Sequence, residues 1–235
     1  MKRSELVAAD LEKPHWGNYE ACIRFLDDTT LLDTPRRVLE IGTGKGGLMK
    51  HLLDDDHAVF GVDYDRYVVT EGRKLYGNLP IVIGDGNNLP FPDNHFDIVM
   101  SFDVFEHIPD SDEHLGEIKR VLKNNGYYLI QTPNRWTNML FEPIRFSRKY
   151  GIRNTFSFLK YPHHCSLHNY WQLRRRFEKN GFQVKYYDIP VVNEFFKRKM
   201  ERFLGKPGLF ALRVFNPDKL PVPLRTNFFL EAQKA

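Results

Sequence analysis

The chain has 235 residues, a formal net charge of +4, 42% hydrophobic and 27% charged residues. That composition suits a folded chain able to bury a full core and excludes a disordered or fibrous protein. It contains no apolar run of about 18 residues, so no membrane-spanning helix is expected.

Other global features narrow the class. Met1-Lys2-Arg3-Ser4-Glu5 has no apolar stretch behind its basic residues, so the start does not read as a signal peptide. Cys22 and Cys165 lie far apart and match no CxxC pattern, so a reducing, cytoplasmic setting is the simpler reading. Charge is uneven: residues 1–133 carry −9 and residues 134–235 carry +13. An anionic partner for the second half follows as an expectation: a membrane surface, a phosphorylated substrate or a nucleic acid.

In chain order, Trp16, Tyr19, Ile23 and Leu26 have helical spacing, which predicts a helix within residues 16–32. Arg37 to Ile41 reads as a short buried strand, stopped by Gly42-Thr43-Gly44-Lys45-Gly46-Gly47, with a helix following through Leu48, Met49, Leu52 and Leu53. A strand from Ala58 to Val62 ends at Asp63, a helix covers Arg66–Tyr76, and a strand at Ile81-Val82-Ile83 ends in Gly84-Asp85-Gly86. Phe96 to Phe102 is a fourth strand, residues 111–123 are helical, and Tyr127 to Gln131 is a fifth strand broken by Thr132-Pro133-Asn134. After an irregular stretch, helix and strand resume at Tyr170–Lys179 and Phe182–Tyr187, and residues 226–232 form a last strand.

Strand–helix alternation with helices of this length predicts an α/β fold: a mostly parallel sheet with helices on both faces. The whole chain, 1–235, reads as one domain with an N-terminal helical segment over 1–34. Two irregular stretches, about 134–167 and 190–222, read as insertions capping the carboxyl edge of the sheet, where open α/β sheets bind ligands. Within the second, Phe196, Met200, Phe203 and Leu204 share one helical face while Lys197, Arg198, Lys199 and Arg202 lie mostly away from it. Residues 193–204 are therefore a candidate for peripheral membrane contact or for packing on the domain.

Gly42, Gly44 and Gly47 fit GxGxxG, and Asp63 stands 21 positions beyond Gly42, as an acid that bonds ribose hydroxyls would. Alone this spacing also admits a dinucleotide-binding oxidoreductase. Glu40, two residues before the first glycine, would repel a pyrophosphate and suits a ligand carrying an ammonium group. Asp85-Gly86-Asn87 follows the third strand, where an Asp can accept from an exocyclic amine and the next N–H can donate to a ring nitrogen.

With these residues, Val38 to Gly46 resembles the first motif, E/D-x-G-x-G-x-G, of the class I S-adenosylmethionine-dependent methyltransferase superfamily. The stretches 96–103 and 122–130 look like its fourth and fifth motifs, and Asn227-Phe228-Phe229-Leu230 resembles its antiparallel edge. The resemblance runs from about Val38 to the C-terminal residues, with gaps at the two insertions. It implies a Rossmann-like, seven-stranded, mostly parallel sheet with an antiparallel last strand, and S-adenosylmethionine as cofactor. The cofactor contacts it implies are Glu40, Gly42, Thr43, Gly44, Gly46, Asp63, Tyr64, Asp85, Gly86, Asn87 and Ser101.

The implied reaction is methyl transfer to a small-molecule or lipid-like acceptor, with oxygen as the expected atom. A general base would assist a hydroxyl acceptor, and His107 in Glu106-His107-Ile108-Pro109-Asp110 is one candidate. Asp103, Glu106 and His107 stand at D-x-x-E-H spacing, similar to the E-x-x-E-H of ubiquinone-type O-methyltransferases, which can bind a divalent cation. The shorter Asp here leaves metal binding open, and no metal ligand is assigned. Thr132-Pro133-Asn134-Arg135, and His164 nine residues before Leu173 in a helix closed by Gly181-Phe182, resemble the same small-molecule group and place His164 near the acceptor. Three histidines and a cysteine over 161–168 invite a zinc site, but no second ligand cluster completes one.

Three alternatives stay open. Nucleic-acid methylation draws on the basic second half, although the Asn/Asp-Pro-Pro-Tyr/Phe signature is absent. An NAD-dependent oxidoreductase fits the glycines but lacks a Tyr-x-x-x-Lys pair. A silent S-adenosylmethionine-binding protein would keep the glycines without the chemistry. Oligomeric state is not legible.

Overall fold

The structure is a computed structural model and describes residues 18–139 and 164–235. The start of the first predicted helix, including Trp16, and most of the first insertion lie outside the described residues. So do the side chains of Lys199, Arg202, Phe203 and Leu204.

Seven strands form one sheet: β1 (Arg37–Ile41), β2 (Ala58–Asp63), β3 (Ile81–Ile83), β4 (Phe96–Phe102), β5 (Leu122–Pro133), β6 (Phe182–Tyr187) and β7 (Asn227–Lys234). Their order is β3-β2-β1-β4-β5-β7-β6, parallel except that β7 runs antiparallel between β5 and β6. The predicted architecture, including the antiparallel last strand, is borne out. Both faces are covered, so the central strands are near-continuous apolar runs whose alternate residues feed opposite cores. Val38, Ile98, Met100 and Leu129 pack with helices α1 (Tyr19–Thr29), α2 (Gly47–Asp54) and α3 (Arg66–Tyr76). Leu39, Val99, Tyr128 and Ile130 pack with α4 (Ser111–Val121) and α5 (Tyr170–Lys179).

Local chemistry sets the element ends. Asp65 caps α3 by accepting from the Tyr67 and Val68 amides, Asp110 caps α4 from Asp112 and Glu113, and Asn169 forms a capping box with Gln172 on α5. Helix α4 stops at Val121, two residues short of expectation, because Leu122 turns extended and pairs with Phe96 of β4. Residues 194–214 form α6, kinked at Gly205 (φ +65°) two residues before Pro207. Cys22 and Cys165 are both free thiols.

The site is positioned by β1, which has β2 on one side and β4 on the other. From β1 the chain runs outward through β2 to β3 and then crosses back to β4 on the other side, so the carboxyl ends of β1 and β4 mark the switch point at which open α/β sheets form a crevice. Helix α3 braces this point. A Cβ on Gly72 would lie 2.2 Å from the Lys45 carbonyl oxygen, so the helix backbone rests directly on the glycine loop. Gly72→Ala should therefore cost about 1–3 kcal/mol in urea unfolding. It should also weaken ligand binding at the loop, and an unshifted midpoint would contradict the close contact.

Candidate active site

Three glycines of the loop after β1 hold left-handed backbone: Gly42 (φ +68°), Gly44 (φ +56°) and Gly46 (φ +84°). The Gly42 and Thr43 amides both donate to the Val62 carbonyl, at 2.8 and 3.3 Å, which ties the loop to β2. A Cβ on Gly42 would meet Val104 Cγ2 at 2.3 Å, so the loop also presses on the segment after β4. Space opens at Gly44, where a Cβ would meet only Val68, at 3.9 Å. Gly46 is the N-cap of α2 and leaves its first amides without a side-chain partner.

Asp63 closes the turn. Its Oδ2 accepts from the Gly44 amide at 2.8 Å and its Oδ1 from the Asp65 amide at 2.9 Å. A carboxylate has about four acceptor positions, so two remain for ligand hydroxyls. Tyr64 beside it is 84% exposed. Glu40 is buried and accepts the Thr43 hydroxyl at 3.1 Å. Burial, with Asp63 nearby, raises its pKa to about 8. A carboxyl in this state fits a cationic ligand group, which would draw it into its ionised form.

On the far side of β2, Asp85 Oδ1 accepts the Asn87 amide at 3.0 Å, and Asn87 Oδ1 is buried with no partner among the described residues. This loop hangs on a buried chain that sequence reasoning missed. His114 Nδ1 lies 2.9 Å from the Gly86 carbonyl, His114 Nε2 lies 3.0 Å from the Tyr128 hydroxyl, and that hydroxyl lies 2.7 Å from Ser101 Oγ. A carbonyl only accepts, so Nδ1 carries the hydrogen. Burial lowers the His114 pKa to about 4, so Nε2 is bare and accepts from Tyr128, which accepts from Ser101. Ser101, expected at the cofactor, is fully buried with its hydroxyl spent on Tyr128. A histidine amid the apolar positions of α4 was the available signal.

Across the crevice, Asp103 has φ +54° and accepts from Asn18 Nδ2 through both oxygens, at 3.2 and 3.0 Å. Glu106 is buried, accepts the Thr132 hydroxyl at 3.0 Å, and is raised to about 8 by burial and then by Asp103. Its carbonyl accepts the Ser166 amide at 2.9 Å, which lays the 164–168 segment over the short turn Phe105–His107. The rings of His107 and His164 consequently meet edge-on, with centroids 4.9 Å apart. The two histidines read separately from the sequence are neighbours. Ligand atoms of Glu106, His107 and His164 lie within 4.8 Å of one another and could jointly hold a cation. Asp103 is not part of that group, so the D-x-x-E-H spacing did not identify the converging trio.

A family model described as a methyltransferase domain matches residues 39–130, from β1 into β5. A Mycolicibacterium smegmatis protein assigned by name to the S-adenosylmethionine-dependent methyltransferases is 39% identical over 110 residues, 47% of this chain and 42% of that protein. The ubiquinone/menaquinone biosynthesis C-methyltransferase of Pseudomonas fluorescens is 32% identical over 133 residues, 53% of this chain and 52% of that protein. The chain thus spans about half the length of the curated relatives it matches. In three dimensions it resembles the protein solved with the Haloferax volcanii Trm112 methyltransferase activator, with TM-score 0.67 and 18% identity over 98% of this chain and 93% of that one.

The raised Glu40 pKa has a sign that can be measured. Folded Glu40 holds its proton up to about pH 8, whereas the unfolded side chain releases it near 4.5, so its contribution to stability falls as pH rises between those values. In ligand-free protein, Glu40→Gln should therefore gain on the parent by about 1–3 kcal/mol between pH 5 and pH 8. Thermal unfolding at the two pH values measures it, and a pH-independent difference would mean that the folded carboxyl is already ionised.

Proposed function

We propose that the chain is a class I S-adenosylmethionine-dependent methyltransferase that transfers a methyl group to a hydroxyl of a small-molecule or lipid-like acceptor, a reading supported by the methyltransferase-domain match over residues 39–130. The observation that carries this reading is the meeting of His107 and His164, side chains 57 positions apart, at the turn after β4, whose preceding residue Val104 packs against Gly42 of the glycine loop. The name of the quinone-pathway relative, a C-methyltransferase, supports a small-molecule acceptor, while the choice of oxygen rests on the two histidines.

In this reading Glu40 faces the ammonium of the cofactor, with Thr43 orienting its carboxyl. The backbone of Gly42, Gly44 and Gly46 lets the ligand approach. Asp63 accepts ribose hydroxyls with its two spare positions, Tyr64 covers that side, and Asp85, Gly86 and Asn87 meet the adenine edge. When bound, the cofactor supplies a methyl group already activated on a sulfonium. Little covalent help is then needed, and the protein's work is alignment and exclusion of water. His107 or His164 takes the acceptor's proton as its oxygen becomes nucleophilic. Glu106 and Thr132 hold the turn that presents His107.

The domain is read as one unit, with the segments over 134–167 and 190–222 capping the crevice; His164 near the end of the first supports this. In α6, Phe196 and Met200 are half-buried while Lys197 and Arg198 are exposed, so any membrane contact through 193–204 rests on its basic side. Among the described residues no helix is long and apolar enough to cross a membrane.

Calorimetric titration with S-adenosylhomocysteine, with NAD in parallel, tests the cofactor assignment. Asp63→Ala and Asp85→Ala should each weaken S-adenosylhomocysteine binding by about 1–3 kcal/mol. Asp63→Ala should be the larger, because it also frees the Gly44 amide. Unchanged affinity in both would sink the assignment, as would binding of NAD alone. His107→Ala and His164→Ala should keep the affinity and lose turnover once an acceptor is found. A loss of binding by either, with the fold intact, would remove the base role.

A further inference from the structure

The positive surplus of the second half is not used by the crevice. Four of its cations line a cleft of about 360 Å³ formed by Arg135, His168 and one face of α5, including Arg175, Arg176 and Lys179. Positions 172, 175, 176 and 179 follow helical spacing, so these side chains converge rather than fan out. One acid faces them: Asp112 meets Arg176 Nη1 at 3.1 Å and Lys179 Nζ at 3.6 Å, and it also accepts from Asn180 Nδ2 at 2.9 Å. Arg135 and Arg175 make no ion pair among the described residues. Like charges at i and i+4, as in Arg175 and Lys179, repel each other, and one shared carboxylate does not neutralise four cations.

A second observation points the same way. His168 lines this cleft and is buried, and although the Ser166 backbone lies close to its ring, its Nδ1 completes no hydrogen bond of good geometry among the described residues. Buried polar groups without partners are uncommon and mark places where a ligand or water completes the structure. Next to lining residues in the chain, Trp136 and Trp171 are 44% and 56% exposed with ring centroids 5.4 Å apart. The first adjoins Arg135, and the second stands one helical turn before Arg175.

We propose that this cleft binds a phosphate group, held by the paired guanidinium forks of Arg135 and Arg175 with Arg176 and Lys179 beside them. Guanidinium forks match phosphate oxygens two at a time, which surface lysines do not. The group can be carried by a soluble molecule or by a lipid head whose apolar portion meets the two tryptophans. The site is independent of the methyl-transfer reading.

The test compares three proteins: the parent, Arg135→Ala/Arg175→Ala, and Lys206→Ala/Lys219→Ala, which removes the same charge from exposed positions outside the cleft. Each is titrated with pyrophosphate, and each is sedimented with phosphatidylcholine vesicles with and without phosphatidic acid, at roughly 0.15 M salt. The parent should bind at least one phosphate carrier, the cleft variant should bind it about tenfold or more weakly, and the control should match the parent. Pyrophosphate binding assigns a soluble ligand, and binding to phosphatidic acid vesicles alone assigns a lipid. The proposal is overturned if the parent binds neither, if the cleft variant binds as the parent does, or if both variants weaken equally. Unchanged S-adenosylhomocysteine affinity in both variants keeps this result separate from the cofactor site.

Discussion

Left-handed backbone at Gly42, Gly44 and Gly46 makes a loop whose own backbone bond, from the Gly46 amide to the Thr43 carbonyl at 2.9 Å, is too little to hold it alone. What holds it is β2. The Val62 carbonyl takes the Gly42 and Thr43 amides, and the Asp63 carboxylate takes the Gly44 amide while also anchoring the chain that leaves β2 through Asp65. One carboxylate thus shapes the glycine loop and sets the start of α3, and Gly72 lets that helix lie back against the loop it helps define. A cofactor binding here meets a backbone arranged beforehand, so little ordering cost falls on the binding event.

The electrostatics of the crevice follow from burial. Glu40 and Glu106 sit near the carboxyl ends of neighbouring strands, each buried, each holding one hydroxyl bond, and each pushed up to about 8. Dry carboxyls resist ionisation unless a positive group joins them. A ligand ammonium beside such a carboxyl stabilises its charged form and gains an ion pair, whereas a pyrophosphate would leave it protonated and gain no such pair.

Most of the sheet was legible because strands buried on both faces read as short apolar runs bounded by glycine, aspartate or proline. The strand ends carried their own marks at Glu40, Asp63 and Asp85. Less legible was anything decided by facing. Ser101 stands at the right point along β4, yet it follows Val99 onto the α4 side, where Tyr128 takes its hydroxyl. The convergence of His107 with His164 depends on an amide from Ser166 reaching the Glu106 carbonyl, a contact across sixty positions that no local pattern encodes. Gly72 and His114 did leave traces, a glycine inside a helix and a histidine among core positions, whose purposes only the packed neighbours explain.

The place of β7 has a consequence for how the molecule is made. It lies between β5 and β6, pairing with both, although it follows β6 in the chain by some forty residues. Until it is synthesised, β5 has one open edge and β6 has no strand beside it, so both present unpaired amides and carbonyls. The β5–β7 and β7–β6 pairings can therefore form only after that segment is translated. Nascent chains paused before residue 227 would carry a finished glycine loop beside an unfinished sheet, the form most exposed to pairing with a neighbour.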